Sequence, residues 1–115
     1  LNEGKKLGMI LVATPGFRCR RIEAGLLSAG QDFSKYTNPF SVGLGKFIDF
    51  DKENFIGKNA LSKADKTCFS WGIRVEDGIA IKGEVVNSNG KEVGKITSST
   101  WSPSPVCGVG IVLFE

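Results

Sequence analysis

Asn89-Gly90 constrains the fold of this chain more than any other pair of residues. A type I′ turn needs positive φ at both central positions, and Asn-Gly supplies them at little steric cost. The pair lies between Gly83-Glu84-Val85-Val86 and Glu92-Val93-Gly94-Lys95-Ile96. Two short runs joined this way form an antiparallel hairpin. The sequence around it alternates instead of repeating at helical spacing. Cys68-Phe69-Ser70-Trp71-Gly72-Ile73-Arg74-Val75 alternates loosely, and Gly108-Val109-Gly110-Ile111-Val112-Leu113-Phe114 reads as a last buried strand. Four or five short strands with turn chemistry between them predict a small antiparallel β-barrel.

The first half has a different period. Arg20 to Phe33 predicts a helix over most of its length. Pro15 and Gly16 mark its entry, Ile22 and Leu26 share one face, and Gly30 supplies the left-handed stop. Glu23 follows Ile22 directly and so points about 100° away from the apolar stripe. Leu1 to Gly8 looks like the end of a helix, and Met9-Ile10-Leu11-Val12-Ala13 like a short buried strand. Gln31 to Tyr36 is loop-like, and Asn38-Pro39 demands an extended residue before the proline. Phe47-Ile48-Asp49-Phe50 reads as a strand and Asp51 to Asn54 as a charged turn. A short helix follows from Gly57 to about Lys63, with Ile56 and Ala60 inward and Lys58 and Lys63 toward water. Ser62 to Thr67 is polar and without apolar pattern, which places a boundary between residues 1–64 and 65–115. The chain opens mid-pattern and stops after an apolar strand, so a piece of a longer protein is expected.

Composition narrows the function. The chain is 41% hydrophobic and 23% charged, ordinary for a globular fold. A net charge of +3, with basic and acidic residues interleaved, gives no footprint for nucleic acid. Arg18, Arg20 and Arg21 form the one tight basic cluster, read as a solvated helix face or an anion site. No run approaches the ~18 apolar residues of a membrane span, and no signal-peptide pattern is visible. Three widely separated cysteines, Cys19, Cys68 and Cys107, argue against a disulfide framework or zinc site. They fit buried thiols in a reducing cytoplasm. Histidine is absent, which removes Ser-His-Asp and Cys-His catalysis and every histidine metal ligand. Acid–base work falls to carboxylates, lysines or hydroxyls.

Among these, Glu23 is the leading candidate. A carboxylate accepts two parallel hydrogen bonds from an N–H/NH₂ edge. The same residue also suits an ion pair with Arg20 or Arg21, or an exposed helix face. Arg21 either orients Glu23, holds a carboxylate bidentately, or is a surface arginine. Asp32 reads as a loop cap, and Asn38 with Pro39 as loop-shaping residues. Val42-Gly43-Leu44-Gly45 is not a nucleotide loop, and close backbone packing explains its glycines. Ser98, Ser99, Trp101 and Ser102 read as a turn-rich loop, with Trp101 either facing a pocket or closing a barrel end.

Several of these pieces, in order, resemble one family. Arg21-Ile22-Glu23-Ala24-Gly25-Leu26, Gly30-Gln31-Asp32, Asn38-Pro39-Phe40-Ser41-Val42-Gly43-Leu44-Gly45 and Phe55-Ile56-Gly57-Lys58-Asn59-Ala60-Leu61 are similar to the glycine cleavage system T protein (aminomethyltransferase) superfamily. Gly94-Lys95-Ile96-Thr97-Ser98-Ser99 with Ser102-Pro103 resembles its Gly-x-x-Thr-Ser-Gly…Ser-Pro pattern, with Ser99 departing from the glycine. Ala29 stands where the family often has tyrosine. The wording Arg20-Arg21-Ile22-Glu23…Leu26-Leu27-Ser28, with Asn38-Pro39-Phe40, looks closer to the dimethylsulfoniopropionate demethylase branch. No Lys-Gly-Cys-Tyr motif of the iron–sulfur assembly relatives is present.

The resemblance implies an α+β fold: residues 1–64 as the end of a folate-binding domain, and 65–115 as part of a C-terminal β-barrel domain. It implies a tetrahydrofolate-dependent aminomethyl- or methyltransferase that needs no metal. Glu23 would contact the pterin, with Arg21 and Trp101 beside the folate, and the family's catalytic aspartate would lie outside this chain. The donor would be a small methyl or aminomethyl compound, or the aminomethyl group on the lipoyl arm of the H protein. Dimethylsulfoniopropionate and methylated amines are the alternative donors. A non-catalytic folate-binding protein or an interaction module are the alternative functions.

Overall fold

The computed structural model describes residues 2–115. The alternating half folds as a single antiparallel sheet. β1 (Ser70–Val75), β2 (Val85–Ser88), β3 (Lys91–Ser102) and β4 (Cys107–Phe114) lie in the order β1-β4-β3-β2. Asn89 (φ 51°) and Gly90 (φ 76°) make the expected turn from β2 to β3.

The expected barrel does not close. β1 and β2 are the two edges of an open four-stranded sheet, whereas closure needs the edge strands to pair. The loop joining them, residues 76–84, runs across one face instead. Ser99 Oγ donates to the Ala80 carbonyl there. Gly108 has to lack a side chain, because a Cβ would run into the Gly78 carbonyl oxygen.

Cross-strand partners share a face. Register therefore assigns Gly72, Arg74, Ser98, Thr100, Ser102, Val109 and Ile111 to one face of the sheet. Trp71, Ile73, Ser99 and Trp101 belong to the other. A bulge between Ile96 and Ser98 resets the alternation on β3. Trp101, Ser98 and Ser102 are thus strand residues, not the loop expected.

α2 (Thr14–Glu23) lies on the first face. It follows α1 (Asn2–Lys6), and α3 (Lys58–Lys63) comes later. Ile22 packs on Val109 and Ile111, with Leu27 and Cys107 alongside. Burying such a side chain is worth about 1.5–3 kcal/mol.

Pro15 sits in the first turn of α2 as expected, but the helix ends far earlier than Gly30. Gly25 (φ 68°) is the left-handed residue. Its N–H donates to Ile22 O at 3.0 Å, and the Leu26 N–H donates to Arg21 O at 2.7 Å. This is a Schellman motif. Ile22 and Leu26 straddle it, so they share no face, and Leu26 is exposed.

Met9 to Ala13 forms no strand and pairs with neither edge of the sheet, and Met9, Ile10, Leu11 and Val12 are exposed. Gly45–Phe47 is a 3₁₀ turn, and Phe47 to Phe50 is not a strand. Phe50 instead stacks parallel to Phe40 and meets Phe55, each at 6.3 Å between centroids. Gly45 lets the Phe40 ring approach, since a Cβ there would collide with it. Ile56 and Ala60 face solvent rather than the interior. The three cysteines are free and half-buried rather than fully buried. Among the described residues no helix is long and apolar enough to cross a membrane.

Candidate functional site

The early stop of α2 places Glu23 at the helix end, over the end of β3. Glu23 Oε1 accepts hydrogen bonds from Ser102 Oγ and from Cys19 Sγ, the latter at 3.3 Å. Oε2 accepts from Arg20 Nη1 at 3.2 Å. Ser102 is completely buried. Arg20 is 82% exposed while the Glu23 side chain is 19% exposed. Oε1 therefore has both lone-pair positions filled, and Oε2 has one left plus a partner that water readily replaces.

The Ser102 hydroxyl, then the Cys19 thiol, hold the Glu23 carboxyl below its ordinary range, against the opposing effect of burial. Burial, then the Glu23 carboxylate, push the Cys19 thiol up. The carboxylate is thus an anionic acceptor at neutral pH, and the thiol is a donor rather than a nucleophile.

Glu23 lines a cleft of about 510 Å³ with Ile22, Gly72, Ile73, Arg74, Ser104, Pro105 and Val109. Gly72 lies opposite Ile111 on the face that α2 covers. A Cβ added there would meet nothing within 4 Å. The missing side chain helps leave the cleft open.

Arg21 serves another cluster. Two residues along a helix are separated by about 200°, so Arg21 and Glu23 leave α2 in nearly opposite directions. Arg21 Nη1 donates to Asp32 Oδ2 at 2.8 Å and to Leu26 O at 3.1 Å. Its Nη2 donates to Ser98 Oγ at 2.7 Å and to Gln31 Oε1 at 3.3 Å. Asp32, 2% exposed, also accepts from the Ser28 N–H at 2.8 Å and from Thr97 Oγ1 at 2.7 Å. Burial drives the Asp32 carboxyl up, but bonds from Ser98, Thr97, the Ser28 N–H and Arg21 outweigh it and hold it below the usual range. Asp32 caps its loop as expected and also ties that loop to β3. Asn38 shapes its own loop, its Oδ1 accepting from the Phe40 N–H at 2.7 Å.

Of the residues singled out in the sequence, the structure brings Glu23 and Ser102 together. Arg21 sits in the Asp32 cluster, and Trp101 lies on the far face opposite Gly108. Arg74 and Gly72 went unrecognised, because only the β1–β4 register turns them toward α2.

No family model matches the chain. Curated relatives do. An aminomethyltransferase of Aquifex aeolicus (strain VF5) is 41% identical over 121 residues, covering 99% of this chain and 34% of the relative. One from Halothermothrix orenii is 33% identical over 115 residues, covering 96% and 32%. The chain belongs to the aminomethyltransferase family. A further aminomethyltransferase, from Thermotoga sp. (strain RQ2), is 44% identical over 73% of this chain. The chain spans about a third of the length of the curated relatives it matches. Within this chain, the Arg-Ile-Glu-Ala-Gly-Leu segment is the end of α2 and its Schellman stop. The segment's arginine and glutamate therefore have separate tasks, one tying α2 to the Asp32 loop and the other facing the cleft.

Proposed function

We propose that this chain is part of a tetrahydrofolate-dependent one-carbon transferase in which Glu23 accepts hydrogen bonds from the N–H edge of the pterin. The observation that carries the reading is the Glu23 carboxylate, held ionised by Ser102 at the wall of a cleft, with Oε2 tied only to the exposed Arg20. The residues fit such a group. A pterin N–H displaces the Arg20 contact at small cost, because an exposed ion pair is worth about 0–1 kcal/mol. Tetrahydrofolate, when bound, supplies the nitrogen that receives the one-carbon unit.

The chain's own part is binding and orientation. Glu23 fixes the ring edge, Ser102 fixes Glu23, and Ile22 and Val109 give the ring an apolar wall. Arg21 acts at a distance by holding α2 and the Asp32 loop on β3, and Trp101 stands outside the contact. The relatives' name favours an aminomethyl group as the unit transferred, delivered on the lipoyl arm of the H protein. The division near residue 64 is retained as a proposal: folate-binding chain before it, C-terminal sheet domain after it.

The test is calorimetric titration of the protein with tetrahydrofolate, beside Glu23→Gln. Saturable binding that weakens in the variant is expected, because the neutral amide gives up the charge-assisted pairing with the ring's N–H edge. Equal affinity in both proteins removes Glu23 from the site.

A further inference from the structure

We infer that Arg74 is the anion anchor of the Glu23 cleft, so that the ligand presents N–H groups at one end and a carboxylate toward the other. The inference rests on Glu23 being the N–H acceptor. Register puts Arg74 opposite Val109, on the same face as Ile22 and beside α2. Among the described residues, Glu23 and Arg74 are the only charged ones lining the cleft, and they are of opposite sign. Glu23 has three donors. Arg74 makes no ion pair and no side-chain hydrogen bond among the described residues, although carboxylates elsewhere in the chain are paired. A guanidinium left free at the mouth of a cleft is a planar fork matched to a carboxylate. Gly72, two residues before Arg74 on the same face, leaves the cleft floor open on the side of Arg74 away from Glu23. Ser104 adds a hydroxyl to the lining.

Two sources can bring that carboxylate: the acid end of a folate, or a small amino-acid-like donor of the one-carbon unit. The experiment separates them. The protein, Arg74→Gln, Glu23→Gln and Gly72→Val are each titrated with tetrahydrofolate, with 6-methyltetrahydropterin, which is the ring without the acid, and with N,N-dimethylglycine. Arg74→Gln is expected to weaken one carboxylate probe about tenfold and to leave 6-methyltetrahydropterin unchanged. The probe that weakens names the source. Gly72→Val is expected to weaken the ring probe at unchanged melting temperature, since a β-branched residue suits the strand and its Cβ meets no neighbour.

The inference is overturned if Arg74→Gln binds both carboxylate probes as the parent does, if it weakens the acid-free ring equally, or if the parent binds no probe. Loss of ring binding in Glu23→Gln with no effect of Arg74→Gln keeps the Glu23 reading and removes the anchor. An effect of Arg74→Gln with none of Glu23→Gln removes the Glu23 reading and keeps Arg74 as an anion contact.

Discussion

Ser102 and Arg21 each hold a carboxylate against the sheet, with different consequences. The Ser102 hydroxyl is the foremost reason that Glu23 titrates low. Ser102→Ala removes one donor without adding bulk. The Glu23 titration midpoint, followed by carboxyl carbon-13 NMR, is expected to move up toward the ordinary range, and an unmoved midpoint would sink the role given to the serine.

Asp32 gives a stability effect instead. Its folded pKa is depressed, so the folded form binds fewer protons than the unfolded form. Its contribution is fully present above the unfolded value of about 3.9 and is lost as the pH falls through the lower folded value. Asp32→Asn should cost about 3 kcal/mol at pH 7, the low end for breaking a buried pair, because the Arg21 side chain keeps 19% of its exposure. Denaturant melts at pH 7 and pH 2 provide the check. The gap between parent and variant has to narrow at the lower pH, and a constant gap would refute the ionic account.

At the scale of elements, the hairpin was legible because Asn89-Gly90 is local chemistry, and β1 and β4 because their runs are bounded by turn residues. α2 was legible at its entry and misread at its exit. Gly25 and Gly30 both stand after helix-forming residues and both take positive φ, and nothing local ranks one above the other. The deciding bonds, Gly25 to Ile22 and Leu26 to Arg21, belong to the folded turn. Gly25→Ala is expected to cost about 1–2 kcal/mol, the left-handed penalty for a residue with a Cβ. Gly72→Ala, in a strand, makes the comparison in the same denaturation experiment and should cost under about 0.5 kcal/mol. Equal losses would mean that the Schellman stop does not end α2. The site was legible in the same partial way. Glu23 came from a motif, whereas its neighbours Arg74 and Gly72 depend on strand register, which pairs residues 35 or more positions apart.

For the whole molecule, burial is unevenly shared. The radius of gyration is 17.9 Å, against about 13 Å for a compact chain of this length. Among the described residues the buried apolar side chains are Ile22, Phe40, Val42, Ile96, Val109, Ile111 and Val112, all on or after the second half of α2. Leu7, Ile10, Leu11 and Phe17 are more than 60% exposed. Apolar surface of that kind stabilises the fold only where it leaves water, so the two groups should respond oppositely to substitution. Ile111→Ala, at 3% exposure, is expected to cost about 2–5 kcal/mol through lost transfer and the cavity left behind. Ile10→Ser with Leu11→Ser should change stability by less than about 0.5 kcal/mol. The same double variant should lower self-association in sedimentation velocity, since a contiguous apolar stretch in water drives association. A double variant that melts several kcal/mol lower would show Ile10 and Leu11 to be packed in solution, and would refute the exposed placement of residues 9–12.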